Sequence, residues 1–328
     1  MNISKRSWVL VLMVMVGLLM ASSSHLIGQA FQPVLEKVKE TGVLAVGMRE
    51  AARPFAYIDE RGVHVGFSVD MAYLLAEKLE EYAGREIEVK PVTVTPATRI
   101  PVVVAGTVDV EMGSTTHTAP RNMVVDFSQV FFISETTFMV RKDEGIKTLK
   151  DLDGKIVSSA RGTTNLKALE RIIAEGVIKP KDLVIVDTHA KGFLALEMKK
   201  IDAYFTDTSL LMGLKMAAKD PDAYEIILEP IHSEPYGWMV RENDSDWLDF
   251  VNFFLIWTLQ TKCEEALEDL KDAGIMEECK DPGFSIFDAI YDKWMGPEAE
   301  VPIPRTDEYN ALLAGIQVPG VTEVWPKE

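Results

Sequence analysis

The sequence predicts an α/β fold of two lobes with a ligand held between them. Strand-like and helix-like segments alternate in two successive blocks. Gly113-Ser114-Thr115-Thr116 and a shorter echo, Gly162-Thr163-Thr164, each leave the end of an apolar strand-like run, and Arg121 follows the first of them. In open α/β sheets ligands sit at the carboxyl ends of strands. Glycine there lets the backbone come close, and free N–H groups at a helix start favour an anionic group.

In the first block, Val43 to Met48 reads as a strand, and Phe55-Ala56-Tyr57 as a second before the turn Asp59-Glu60-Arg61-Gly62. Ser68 to Tyr82 carries apolar residues at helical spacing, and Glu86 to Val94 alternates as a strand. Arg99 to Ala105 reads as a short helix and Val108 to Met112 as a strand. This β-α-β order implies a mainly parallel sheet. The second block repeats it: strands at Ile156 to Ala160, Leu183 to Val186, Ala203 to Phe205 and Tyr224 to Leu228, with helices at Asn165 to Glu175, Ala190 to Lys199 and Ser209 to Ala218. Extended segments at Phe138 to Lys142 and Gly237 to Arg241 are expected to be the two crossings between lobes. The expected domains are therefore 31–138 with 241–328 for lobe 1 and 139–240 for lobe 2. The proline-rich, acidic stretch from Gly296 is expected to be a tail lying on the surface.

The totals agree with two cores: 328 residues, 47% hydrophobic and 26% charged. A net charge of −17 argues against nucleic acid or an anionic membrane as partner. Residues 1–30 read as a secretory signal: Lys5 and Arg6, an apolar run from Trp8 to Met20, then small and polar residues with Gly28-Gln29-Ala30 as the cleavage site. The run is short for a membrane span, which needs about 20 residues, although an uncleaved anchor is the alternative. An exported chain with two cysteines usually pairs them, so Cys263 and Cys279 are expected to form a disulfide; two unrelated buried thiols are the other reading.

Several motifs now line up: Arg49-Glu50 before Pro54-Phe55-Ala56-Tyr57, Arg99-Ile100-Pro101, and Glu111 to Arg121 leading to Asp126-Phe127-Ser128. Gly162-Thr163-Thr164, His189 with Phe193, Asp207 before Leu210-Leu211, and Tyr236-Gly237 complete the set. In this order they resemble the bacterial periplasmic amino-acid-binding proteins of ABC importers, solute-binding protein family 3, most closely the glutamate/aspartate binders. The resemblance runs from about Leu35 to Trp294. It implies a two-lobed periplasmic-binding-protein fold (type II), two hinge strands, and a ligand in the cleft. It also implies a periplasmic or extracellular protein that acts as a monomer, delivers its ligand to a membrane permease, and needs no cofactor.

The chemistry fits residue by residue. An α-carboxylate is best met by a planar, bidentate cation, and Arg121 supplies one. Ser114 and Thr116 hydroxyls and the backbone at Thr163 and Thr164 add donors. The resemblance gives Asp207 the ligand's ammonium, and places Arg49, Arg99 and His189 around its side chain. Three such cationic groups balance a second carboxylate better than a neutral amide, which favours glutamate or aspartate over glutamine. Phe55 and Tyr57 are candidates to stack on the ligand, although their alternation about Ala56 puts one of them in the core. At about 1.5–3 kcal/mol per charge-assisted contact, micromolar affinity, about −8 kcal/mol, is within reach.

Two departures stand out. Pro96 replaces a serine that many acidic-amino-acid binders carry three residues before the Arg-Ile-Pro arginine. The stretch 262–284, which holds both cysteines, reads as an inserted helix-turn-helix with Ala273-Gly274 as its turn. Catalysis finds little support: there is no Gly-x-Ser-x-Gly, His-Glu-x-x-His or Walker loop, and the five histidines show no metal spacing. A cyclohexadienyl-dehydratase-like enzyme on the same fold is the alternative outside the binding class.

Overall fold

The computed structural model describes residues 32–316, so the expected signal segment lies outside the described residues. From Val34 onward the contacts form one unit, built from two lobes. The first lobe begins with helix α1 (Val34–Thr41) and strand β1 (Val43–Arg49). A small antiparallel sheet follows, β2 (Ala51–Ala52), β3 (Ala56–Ile58) and β4 (His64–Val65), then helix α2 (Phe67–Ala83), strand β5 (Glu88–Val94), helix α3 (Arg99–Val104) and strands β6 (Val110–Glu111) and β7 (Asp126–Phe127). β1 runs parallel to β5 along its whole length and to β6 at Val46 and Gly47. Pro91 is tolerated because β5 is the sheet's edge. Asp109 ties the lobe together: it pairs with Lys37 of α1 at 2.7 Å and accepts the Ala45 N–H at 2.7 Å.

The second lobe comprises β8 (Phe132–Arg141), β9 (Ile156–Ala160), α4 (Thr164–Ala174), β10 (Asp182–Val186), α5 (His189–Glu197), β11 (Ala203–Asp207), α6 (Thr208–Met216), β12 (Tyr224–Ile226) and β13 (His232–Tyr236). Its strands run in the order β10-β9-β11-β8-β12, with β13 also on β8. β9 runs parallel between β10 and β11, while β8 is antiparallel to β11. The period-2 geometry of strands gives this sheet two cores. Phe138, Val140, Ala203 and Phe205 meet Ala168, Leu169 and Ile172 of α4 on one face. Met139 and Tyr204 meet Phe193 and Leu196 of α5 and Leu211 of α6 on the other.

The crossings are read from where the sheets begin and end. β8 belongs to the second sheet from Phe132 onward, so the outward crossing is Ser128 to Phe131, upstream of the expected Phe138 to Lys142. Phe138 to Arg141 are interior because β8 is flanked by β11 on one side and by β12 and β13 on the other, and Lys142 lies just beyond the strand, exposed. The return passes from β13 through Gly237 and Trp238 into β14 (Met239–Val240), which lies between β6 and β7 in the first sheet. The two crossings are laced together: Phe131 N donates to Tyr236 O at 2.9 Å, and Ser128 N to Trp238 O at 2.9 Å.

The chain ends in the first lobe with α7 (Ser245–Gln260), α8 (Leu267–Asp272), α9 (Ile286–Met295) and α10 (Asp307–Ile316). Cys263 and Cys279 are joined in a disulfide. The stretch it closes holds a single α-helix, α8, rather than a helix-turn-helix. Gly274 ends that helix, and the chain returns irregularly to a bridge between Lys262 and Ser285. Leu270 and Ile275 are buried in the first lobe's core, so the excursion is docked. The segment from Gly296 is likewise more than a surface tail. Tyr309, Leu313 and Ile316 of α10 are buried, and the Tyr309 hydroxyl donates to Phe131 O in the outward crossing at 2.9 Å. Proline and acid content concealed a short amphipathic helix. Among the described residues no helix is long and apolar enough to cross a membrane.

Candidate functional site

The carboxyl ends of both sheets face each other across the crossings. On the first lobe, β1 ends at Arg49, α3 starts at Arg99, and β6 runs out through Glu111 into Gly113-Ser114-Thr115-Thr116. Arg49, Arg99, Glu111, Ser114 and Thr116 are all buried. Arg99 Nη1 donates to Ser114 O at 3.1 Å and to Thr115 Oγ1 at 2.6 Å, and that hydroxyl donates to Glu111 Oε2 at 2.7 Å. A carboxylate therefore stands behind Arg99, one hydroxyl away. Arg121 Nη1 donates to Thr116 O at 2.7 Å, which curls the loop around its guanidinium.

The second lobe's wall comes from three helix starts and one strand. Thr163 caps α4, accepting from Leu166 N at 2.9 Å and donating to Ala160 O at 2.7 Å, so its hydroxyl is committed to the fold. Thr164 donates to Glu234 Oε2 at 2.7 Å. His189 opens α5, and its Nδ1 lies 2.9 Å from the Tyr204 hydroxyl. That contact requires Gly192: a Cβ there would stand 2.1 Å from the Tyr204 ring. Asp207 ends β11, buried beside Asn165 and Tyr236, both of which favour its charged form.

The walls touch. Thr116 Oγ1 and Thr164 Oγ1 are 3.2 Å apart, and Arg121 Nη2 donates to Gly162 O at 3.4 Å. Gly162 has φ +79°, and a Cβ on it would lie 2.8 Å from Ala97 Cα and 2.9 Å from Pro96 O. The Pro96 that departs from the acidic binders thus forms the lip against which the second lobe's glycine closes.

Burial sets the electrostatics. Arg49 is pushed down to about 10, first by desolvation and then by the neighbouring Arg99. Arg121 falls to about 9 for the same two reasons. His189 is held well below its ordinary value by burial and by Arg49 and Arg99, so it is neutral at pH 7. Asp207 is raised to about 7 by burial, followed by the charge of Glu234. Arg49 Nε, Arg99 Nε, Glu111 Oε1, Ser114 Oγ, Asn165 Oδ1, Asp207 Oδ1 and Glu234 Oε1 are buried without a hydrogen-bond partner in the protein. Buried polar groups are nearly always partnered, so this concentration marks a place built for a polar ligand.

Of the residues expected from the sequence, Arg49, Arg99, Ser114, Thr116, Arg121, Thr164, His189 and Asp207 converge here. Phe55 is fully buried, packed edge-on to Phe132 and Tyr236 with centroids 4.9 and 5.3 Å apart. Tyr57 points elsewhere: Arg53 lies 4.0 Å over its ring and Trp294 packs against it, which rules out ligand stacking. The cation count also needs correction. With His189 neutral and Glu111 beside Arg99, the excess positive charge is smaller than three cationic groups suggested. Sequence reasoning missed Glu111 and Glu234 as part of the chamber. Their only signal is position, one just before the Gly-Ser-Thr-Thr loop and one two residues before Tyr236.

Two lobes, two crossing strands and a shared seam of buried, unpartnered polar groups define the class of protein that grips a small polar solute between its lobes. The chain belongs to the bacterial extracellular solute-binding proteins, family 3, whose profile matches residues 44–297. It is 31% identical over 304 residues to an L-glutamate/L-aspartate-binding protein of Pseudomonas aeruginosa, covering 89% of this chain and 91% of the relative. It is 34% identical to a glutamate/aspartate import solute-binding protein of Salmonella typhimurium, over 65% of this chain and 70% of the relative. A glutamine-binding protein of Geobacillus stearothermophilus is 35% identical over 62% and 74%. Among solved structures, a mutant of ArgBP from T. maritima superposes with a TM-score of 0.61 at 32% identity, covering 79% of this chain and 98% of that one. The ancestral amino acid-binding protein AncCDT-1, a precursor of cyclohexadienyl dehydratase, gives 0.61 at 26% identity, over 80% and 99%.

Proposed function

We propose that this protein captures an acidic amino acid, glutamate or aspartate, by closure of its lobes outside the cytoplasm and delivers it to an ABC transporter permease. One observation carries the ligand class: Arg49 and Arg99 lie close together, buried, each with Nε unpartnered, and the charge of Arg99 presses on Arg49. An anionic group between them supplies the missing acceptor and relieves the repulsion, as a side-chain carboxylate does. Arg121 with the unpartnered Ser114 hydroxyl takes the α-carboxylate, and Asp207 takes the ammonium. Because these groups come from both lobes, ligand stabilises the closed form differentially. Delivery to a permease and an extracytoplasmic location rest on the family and on the import named for its relatives. In this reading the protein binds rather than catalyses and acts as a monomer.

Glutamine is the second reading, favoured by Glu111 and by the neutral His189, both of which reduce the positive charge facing the ligand's side chain. Isothermal titration with L-glutamate, L-aspartate, L-glutamine and L-arginine separates the readings. The acidic pair is expected to bind at least about tenfold more tightly, equivalent to ~1.4 kcal/mol. Equal or tighter binding of glutamine or arginine would sink the acidic assignment.

A further inference from the structure

We propose that Glu234 is a second acceptor for the ligand's ammonium group, acting together with Asp207. Glu234 lies on β13, where the strand's alternation turns it and Tyr236 to the same face. Its side chain is fully buried. Oε2 is oriented by the Thr164 hydroxyl at 2.7 Å, and Thr164 also bridges the lobes through Thr116. Oε1 has no hydrogen-bond partner, and neither does Asp207 Oδ1.

Two carboxylates in one buried site repel, and Asp207 registers that repulsion from Glu234. Burying both is costly unless a cation lies between them. The protein's own cations do not supply the bond. Both Arg121 Nη atoms are turned to the carbonyls of Thr116 and Gly162. His232, half-exposed on the same strand, has its Nε2 4.0 Å from Oε1, beyond hydrogen-bond reach. An ammonium offers three donors in a compact charge, enough for Asp207 Oδ1, Glu234 Oε1 and one further acceptor. This role rests on the capture of an amino acid but not on which one, because every α-amino acid carries the same ammonium.

The test deletes each partner in turn. Wild type and Glu234→Gln are titrated by thermal shift with the best-binding amino acid of the panel and with its des-amino analogue, L-glutamate and glutarate for an acidic ligand. Millimolar ligand makes weak binding visible in this assay. Glu234→Gln is expected to weaken L-glutamate about tenfold to hundredfold while leaving glutarate within about twofold. Equal loss for both ligands, or no loss for either, overturns the proposal and leaves Glu234 as a shaper of the hinge strand. If Glu234→Gln does not fold, Thr164→Val, which removes the orienting hydroxyl, takes its place in the same comparison. A selective loss of several-fold for L-glutamate is then expected, and an unselective one overturns the role. If wild type binds no amino acid at all, the capture reading fails first and this role falls with it.

Discussion

The two walls of the chamber are built from the same kind of place, the carboxyl end of a sheet, yet they carry opposite chemistry. The first lobe presents three guanidiniums, Arg49, Arg99 and Arg121, tempered by Glu111. The second lobe and its hinge strand present Asp207, Glu234, hydroxyls and a neutral His189. Each wall alone has charges lacking their counter-ions. Brought together they suit a solute that is itself both cation and anion, with its carboxylates toward the first lobe and its ammonium toward the second. The division of charge is what makes closure depend on the ligand.

Breaking the first wall at its α-carboxylate contact is expected to have the largest effect. Arg121→Ala removes the cation shared by every amino acid, and titration should show more than about a hundredfold loss for all of them. Retained affinity would place Arg121 outside the binding surface. Arg49→Met keeps much of the buried stem and deletes the charge. It is expected to cost L-glutamate about thirtyfold while L-glutamine changes little; a parallel loss of both would show that Arg49 serves shape alone. The smallest effect belongs to the seam. Gly162→Ala adds a methyl at positive φ against Pro96 and Ala97, a strain of ~1–3 kcal/mol. Small-angle scattering with saturating ligand should then show a larger radius of gyration than wild type, and affinity about tenfold lower. An unchanged radius would mean the lips yield.

Much of this was legible in the chain because local chemistry and local period coincide. Ile156 to Ala160 is a strand at the residues expected, and the stripe from Ser68 to Tyr82 is a helix to within a residue at either end. Val108 to Met112 shortened to Val110–Glu111, the residues in register with both β1 and β14. Most of the residues that converge between the lobes were readable because arginines, hydroxyls and one aspartate follow strands in order. Glu111 and Glu234 were not, because a carboxylate in a strand normally reads as a solvent-facing residue, and only burial shows otherwise. Tyr57 failed for the complementary reason: alternation says that a residue points to one face, never which neighbour waits there.

The sequence by itself determined the two α/β blocks, the paired cysteines and the polar residues at strand ends, all properties of short spans of chain. Tertiary structure decided the charge of the chamber. Whether His189 is neutral, whether Glu111 offsets Arg99, and whether Glu234 joins Asp207 depend on desolvation and on distances between segments remote in sequence, and no local pattern encodes those.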